Sequence, residues 1–174
     1  MSLEELVNRA KKGDEESFLE IIGQRQEMLY HIAYTYVRND EEAVEIVQDT
    51  VYKAFVTLKN LKYPNYFNTW LTKILINCAI DSVRKSKRVV YIENESIHAE
   101  NPKEPSQEEI IDLYNALDKL DQKQKTVIVL RYFQDFKIKD IAYIMGIPES
   151  SVKSLLYRTL AKLKIDIEEG GNIE

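Results

Sequence analysis

The sequence predicts an all-α protein: two small helical domains joined by a flexible acidic linker, the C-terminal one containing a helix-turn-helix. Three observations carry that expectation. Apolar residues recur three or four apart along most of the chain, the period of a helix with one buried face. Breaks are scarce, with five glycines and four prolines in 174 residues. There is no β-hairpin signal, nor any strand-length alternation of polar and apolar residues. Hydrophobic residues make up 44% and charged residues 30%, which permits a buried core under a well-solvated surface.

Ser2 to Glu5 fits a capping box, in which the Ser hydroxyl and the Glu carboxylate satisfy free amides at a helix start. Gly13-Asp14 is a break and cap before Phe18, Ile21, Ile22 and Leu29. Asn39 to Glu42 is an acidic helix start that complements the helix dipole. Val44, Val47, Val51, Phe55 and Leu58 then make one apolar stripe, with Glu41, Glu45, Gln48, Asp49 and Tyr52 on the opposite face. Asn60 to Asn68 interrupts the pattern at Pro64-Asn65. A strongly apolar helix follows from about Phe67 to Arg88.

Residues 89–108 stand apart, with two prolines, five glutamates, one lysine and no helical period, which reads as a tether. The chain thus divides into domain 1–88, tether 89–108 and domain 109–174. Ser106 to Glu109 and Asp121 to Gln124 form further capping boxes. Ile138, Ile141 and Ile144 share one side of a helix that ends at Met145-Gly146-Ile147-Pro148. From about Ser150, Val152, Leu156, Leu160 and Leu163 form the buried stripe of the next helix. This helix, tight turn and helix is the order of a helix-turn-helix, which places its second helix in the DNA major groove.

The net charge of −5 looks wrong for DNA binding until it is divided. Residues 73–88 hold Lys73, Arg84, Lys85, Lys87 and Arg88 against Asp81, and residues 150–164 hold Lys153, Arg158, Lys162 and Lys164 with no acid. Two basic helices on an acidic body suggest two contacts with a polyanion. In the second, Ser150, Ser151, Lys153, Ser154, Tyr157, Arg158 and Lys162 share the polar face. Short hydrogen-bonding residues let the backbone approach base edges, and cations beyond them reach phosphates. An ordinary helical hairpin with a polar outer face is the alternative.

In the first domain, Tyr63, Tyr66, Phe67 and Trp70 alternate with Lys62, Asn65 and Asn68. Aromatics among amides and lysines can stack on unpaired bases and bond their edges. Phe67 and Trp70, opening an apolar helix, suit the core better. Lys62, Asn65 and Tyr66 suit strand contact and plain surface equally well. Farther on, Lys73 leads to Asn77, Asp81, Arg84, Lys85 and Arg88, the last five spaced to share one helix face. Such a face can lie along a duplex. The acidic face of Glu41, Glu45, Gln48, Asp49 and Tyr52 suits a basic protein surface, and taken alone reads as solvated.

Enzymatic chemistry is not indicated. The two histidines, His31 and His98, are far apart, and no metal-spaced cluster, Gly-rich phosphate loop or nucleophile elbow is present. No metal, cofactor or small-molecule substrate is expected. The single cysteine, Cys78, sits among Ile74, Ala79 and Val83 and reads as a small buried residue in a reducing compartment. No signal peptide and no apolar run of about 20 residues is seen, so a cytoplasmic protein without direct membrane insertion is expected.

Three segments together resemble a bacterial sigma factor of the extracytoplasmic-function family: Glu42 to Phe55, Phe67 to Asn77, and Ile141 to Ser154. The resemblance covers roughly residues 5–165. It implies a promoter-specificity subunit with no covalent chemistry. The face around Gln48 and Asp49 would dock on core RNA polymerase. The 59–70 loop and the Lys73–Arg88 helix would open and read the −10 promoter element, pocketing a flipped base. The 137–164 motif would read the −35 element, and the acidic tether would thread the polymerase cleft. An anti-sigma factor is implied as a further partner. The chain departs from the family at Lys137, where a capping Ser is common, at Leu155 and Leu160, where Arg is common, and at Tyr63-Pro64-Asn65, where a Gly-containing stretch is common. A duplex-only transcriptional regulator is the alternative, but it does not need the aromatic, amide-rich loop.

Overall fold

The structure is a computed structural model that describes residues 1–90 and 107–170, and is all helix over that range. The side chains of residues 88–90, 107–110 and 165–170 lie outside the description, as do most of the expected tether, His98 and the Ser106 cap. The chain separates into two compact units, Met1–Ile92 and Glu93–Glu174.

The first unit opens with α1 (Leu3–Lys11), whose Ser2 and Glu5 make the expected capping box, the Ser2 amide donating to Glu5 Oε2 at 2.7 Å. Gly13, at φ +100°, turns the chain where an L side chain would be strained, and Asp14 caps α2 (Glu15–Gly23). Next come α3 (Gln26–Val37), ended by Arg38 in the left-handed region, and α4 (Asp40–Thr57), capped by Asn39. Two short 3-10 turns, Leu58–Asn60 and Pro64–Tyr66, fill the break before α5 (Phe67–Val90). The core is where α5 packs on α3 and α4, while α1 packs on α2 and on both 3-10 turns. Leu6, Ile21, Leu29, Ile32, Phe67 and Leu71 are among its largest wholly buried side chains.

The face that α4 buries is not the expected one. Ala43, Ile46, Thr50, Ala54 and Leu58 are inside, while Val44 is 45% and Phe55 51% exposed. Ala43, Ile46, Thr50 and Ala54 are each displaced by one position from the expected Val44, Val47, Val51 and Phe55, a turn of about 100° on the helix, while Leu58, in the 3-10 turn that follows, is buried as expected. Small residues at 43, 50 and 54 let α4 approach its neighbours closely. Thr50 enters the core because its hydroxyl donates to the Ile46 carbonyl at 2.7 Å. Cys78 is buried, as expected.

The second unit contains α6 (Gln107–Asp118), α7 (Gln122–Ile128), a π-turn (Val129–Phe133), α8 (Ile138–Met145) and α9 (Glu149–Gly170). Asp121 and Gln124 make the expected capping box. α9 packs on α7 and α8. Its buried stripe is Val152, Leu156 and Thr159, whereas Leu160 and Leu163 are only half-buried, a second correction. Thr159 is fully enclosed because its hydroxyl donates back to Leu155 at 2.7 Å, leaving its methyl for the core.

Candidate nucleic-acid interface

In the first unit, the stretch between the two 3-10 turns is buried at its start and exposed beyond it. Leu61 is buried as its root. Pro64 opens the second turn, where its missing N–H costs nothing, and the Tyr66 amide donates to Tyr63 O at 3.0 Å. Lys62, Tyr63, Asn65 and Tyr66 all face solvent, with Tyr63 64% and Tyr66 42% exposed. The two tyrosine rings meet edge to face, centroids 6.2 Å apart. Phe67 is fully buried and Trp70 half-buried against it, so both belong to the core side of the loop.

On α5, Asn77, Asp81, Arg84 and Lys85 are exposed in one row, while Lys73 is half-buried and the Arg88 side chain lies outside the description. From Asn77 to Lys85 the row rises about 12 Å, the axial length of three to four nucleotides at about 3.4 Å each. An exposed aromatic pair in the loop before a helix carrying exposed amide and cationic residues has the side chains that engage bases and backbone of a single strand.

In the second unit, Gly146 sits at φ +67° and ends α8, with the Ile147 amide donating to Ala142 O at 3.1 Å. The turn delivers the start of α9 with Ser150, Ser151, Lys153, Ser154, Tyr157 and Arg158 exposed, Tyr157 at 71%. Lys162 is also exposed, but its ammonium donates to the Lys119 carbonyl at 3.3 Å, at the end of α6. It therefore ties α9 to α6 within the unit. Leu155 and Leu160 are half-buried, so packing explains an apolar residue at either place.

Glu41, Glu45, Gln48, Asp49 and Tyr52 are exposed on α4, Tyr52 at 70%. Sequence reasoning missed what lies next to them. A cleft of about 590 Å³ runs between α2 and α4, lined by Phe18, Leu19, Ile22, Val51, Tyr52 and Phe55. Leu19 is 65% exposed, and Phe55 packs edge to face on Phe18 at 5.2 Å. The signal was available: α4 carries more apolar positions than one buried face can use. A surplus apolar stripe exposed beside acidic residues is a common feature of surfaces that contact other proteins.

Sequence comparison bears on the same two units. The Sigma-70 region 2 family matches residues 21–89, and the Sigma-70, region 4 family matches residues 110–163. RNA polymerase sigma factor SigV of Bacillus subtilis is 36% identical over 79% of this chain and 83% of its own. The chain belongs to the sigma-70 family, in its extracytoplasmic-function branch. The ECF RNA polymerase sigma factor SigW of the same bacterium is 28% identical over 97% of this chain and 98% of its own. Among solved structures, the sigma factor RpoE of Bartonella quintana, in complex with the anti-sigma factor NepR, superposes with a TM-score of 0.71. It is 26% identical and covers 88% of this chain and 98% of its own. Sigma factors are promoter-specificity subunits of RNA polymerase, transcription regulators rather than catalysts. No helix among the described residues is long and apolar enough to cross a membrane.

Proposed function

We propose that this sigma factor directs core RNA polymerase through three surfaces. The Tyr63–Tyr66 loop and the exposed row on α5 capture and hold open one strand of the −10 element. The start of α9 reads the −35 element from the major groove. The α4 face, acidic rim and apolar cleft together, docks on core polymerase. The observation that carries the reading is the exposed aromatic and amide loop at the foot of a cationic helix row, because a duplex-only binder has no use for it. Stacking contributes about 1–3 kcal/mol per base, and extracting a base costs only a few kcal/mol. A few such contacts therefore suffice to hold a melted strand.

The same surfaces suit control by occlusion. The RpoE relative was solved with an anti-sigma factor, and an equivalent inhibitor covering the α2–α4 cleft would exclude polymerase. The test of the whole reading is transcription in vitro with core polymerase and a promoter library. Selected promoters with two defined elements are expected, and Tyr66→Ala is expected to abolish strand opening. Transcripts that begin without sequence preference would overturn the reading.

A further inference from the structure

We infer that α1, together with the junction of α2 and α3, is part of the strand-capturing apparatus, and that Lys11 and Arg25 are positioning residues for the loop that meets the DNA. The inference rests on the −10 reading given above. Residue 11 lies outside the region 2 match, which begins at residue 21, so nothing in the family pattern assigns it a role.

The segment from Leu61 to Asn68, the loop and the first two residues of α5, is tethered at both ends by cations from elsewhere in the unit. At its start, the half-buried Lys11 ammonium donates to the Leu61 carbonyl, which lies 50 residues away in sequence. At its end, the half-buried Arg25 guanidinium donates through Nε to Asn68 Oδ1 at 2.7 Å. Between these tethers stand Lys62, Tyr63, Asn65 and Tyr66, all exposed. α1 also packs directly on both 3-10 turns that flank the exposed stretch. Neither cation is spent on a carboxylate in these contacts; each is aimed at a neutral oxygen of the loop. A loop that must accept an unstacked base has to hold its shape without being buried by it. Two charge-assisted bonds at the loop's ends achieve that while leaving its tip open.

The prediction is specific to capture. With holoenzyme assembled on a promoter selected as above, the probe is the single non-template strand of its −10 element, labelled with fluorescein. A hydrogen bond to a charged group shifts an equilibrium by roughly tenfold or more, so Lys11→Met and Arg25→Met, which remove the donors, should each weaken strand binding about tenfold. Core polymerase affinity and −35 duplex binding should not change. Lys11→Arg, which keeps a donor, should restore capture; a merely structural role of Lys11 would instead show in Lys11→Met as a lowered melting temperature and weakened core polymerase binding. If Lys11→Met lowers the melting temperature, Asn68→Ala tests the second tether without touching α1. Wild-type capture by Lys11→Met and Arg25→Met, with Tyr66→Ala defective, would overturn the inference and leave the −10 reading intact. Normal capture by Tyr66→Ala would overturn that reading and the inference with it.

Discussion

Single residues in this chain act mainly through the amides they satisfy or neglect. Lys137 stands at the cap of α8 and makes no side-chain capping bond, while its charge opposes the helix dipole. Lys137→Ser should stabilise the second unit by about 1 kcal/mol, seen as slower hydrogen exchange at the amides of Lys139 and Asp140. Glu5 and Asp14 do the opposite work. The Ser2 amide holds Glu5 below the ordinary carboxylate range, and the Ser17 hydroxyl and amide, helped by Arg9, do the same for Asp14. A depressed folded value means that the carboxylate stabilises the fold above the unfolded value, about 4, and that this is lost as pH falls through the folded one. A Glu5→Gln, Asp14→Asn variant should therefore melt earlier than wild type at neutral pH and converge with it as the solution is acidified below about pH 4. Melting followed by circular dichroism across that window checks the convergence.

At the scale of elements, neighbouring positions separate structure from function. Phe67 is wholly buried and Tyr66 is 42% exposed, on the same turn. Phe67→Ala should cost about 3–5 kcal/mol of stability. Tyr66→Ala should leave the melting temperature alone and remove strand opening, reported by 2-aminopurine placed in the −10 element. The turn of the helix-turn-helix offers a similar contrast. A Cβ at Gly146 would meet no atom within 4 Å, so Gly146→Ala is opposed by its φ of +67° alone. It should cost roughly 1–2 kcal/mol, with Gly146→Asn milder, in denaturant titrations of the second unit. Most of this architecture was legible because caps and turns are local: Ser2 with Glu5, Asp121 with Gln124, and Gly146 announce themselves within a few residues. The buried face of α4 was not. Ala43, Thr50 and Ala54 are weak hydrophobes, and close approach by α3 and α5 selected them over Val44 and Phe55. The π-turn at Val129–Phe133 likewise has no sequence signature, since it reflects how α7 must end on its neighbours.

Over the whole molecule, charge decides when DNA is bound. Residues 1–88 are neutral, with 13 bases and 13 acids, and residues 89–174 carry a net −5, from 11 bases and 16 acids. Exposed cations stand in the α5 row and on the polar face of α9, and others, Lys12, Lys53, Lys59, Lys123, Lys137 and Lys139 among them, are spread over both units among the acids. Such a distribution was readable from composition by segment. The tethers from Lys11 and Arg25 were not, because each joins residues more than 40 positions apart through a single bond. The consequence for binding follows from counterion release, in which each neutralised phosphate steepens the salt dependence by about 0.9. The free chain carries more acids than bases and should bind promoter duplex far more weakly than the holoenzyme, in which polymerase supplies further contacts. In the holoenzyme, Lys153→Ala and Arg158→Ala should each flatten the salt dependence by about 0.9 and weaken all −35 sequences alike. Ser151→Ala and Ser154→Ala should leave the slope unchanged and alter which sequences are preferred, because a hydroxyl at a base edge carries sequence information and a phosphate contact does not. Fluorescence anisotropy over a salt series, with promoter variants on the same duplex, separates the two classes. Tight duplex binding by the free chain at physiological salt would mean that its two cationic faces act without polymerase, and would return the protein to the class of ordinary operator binders.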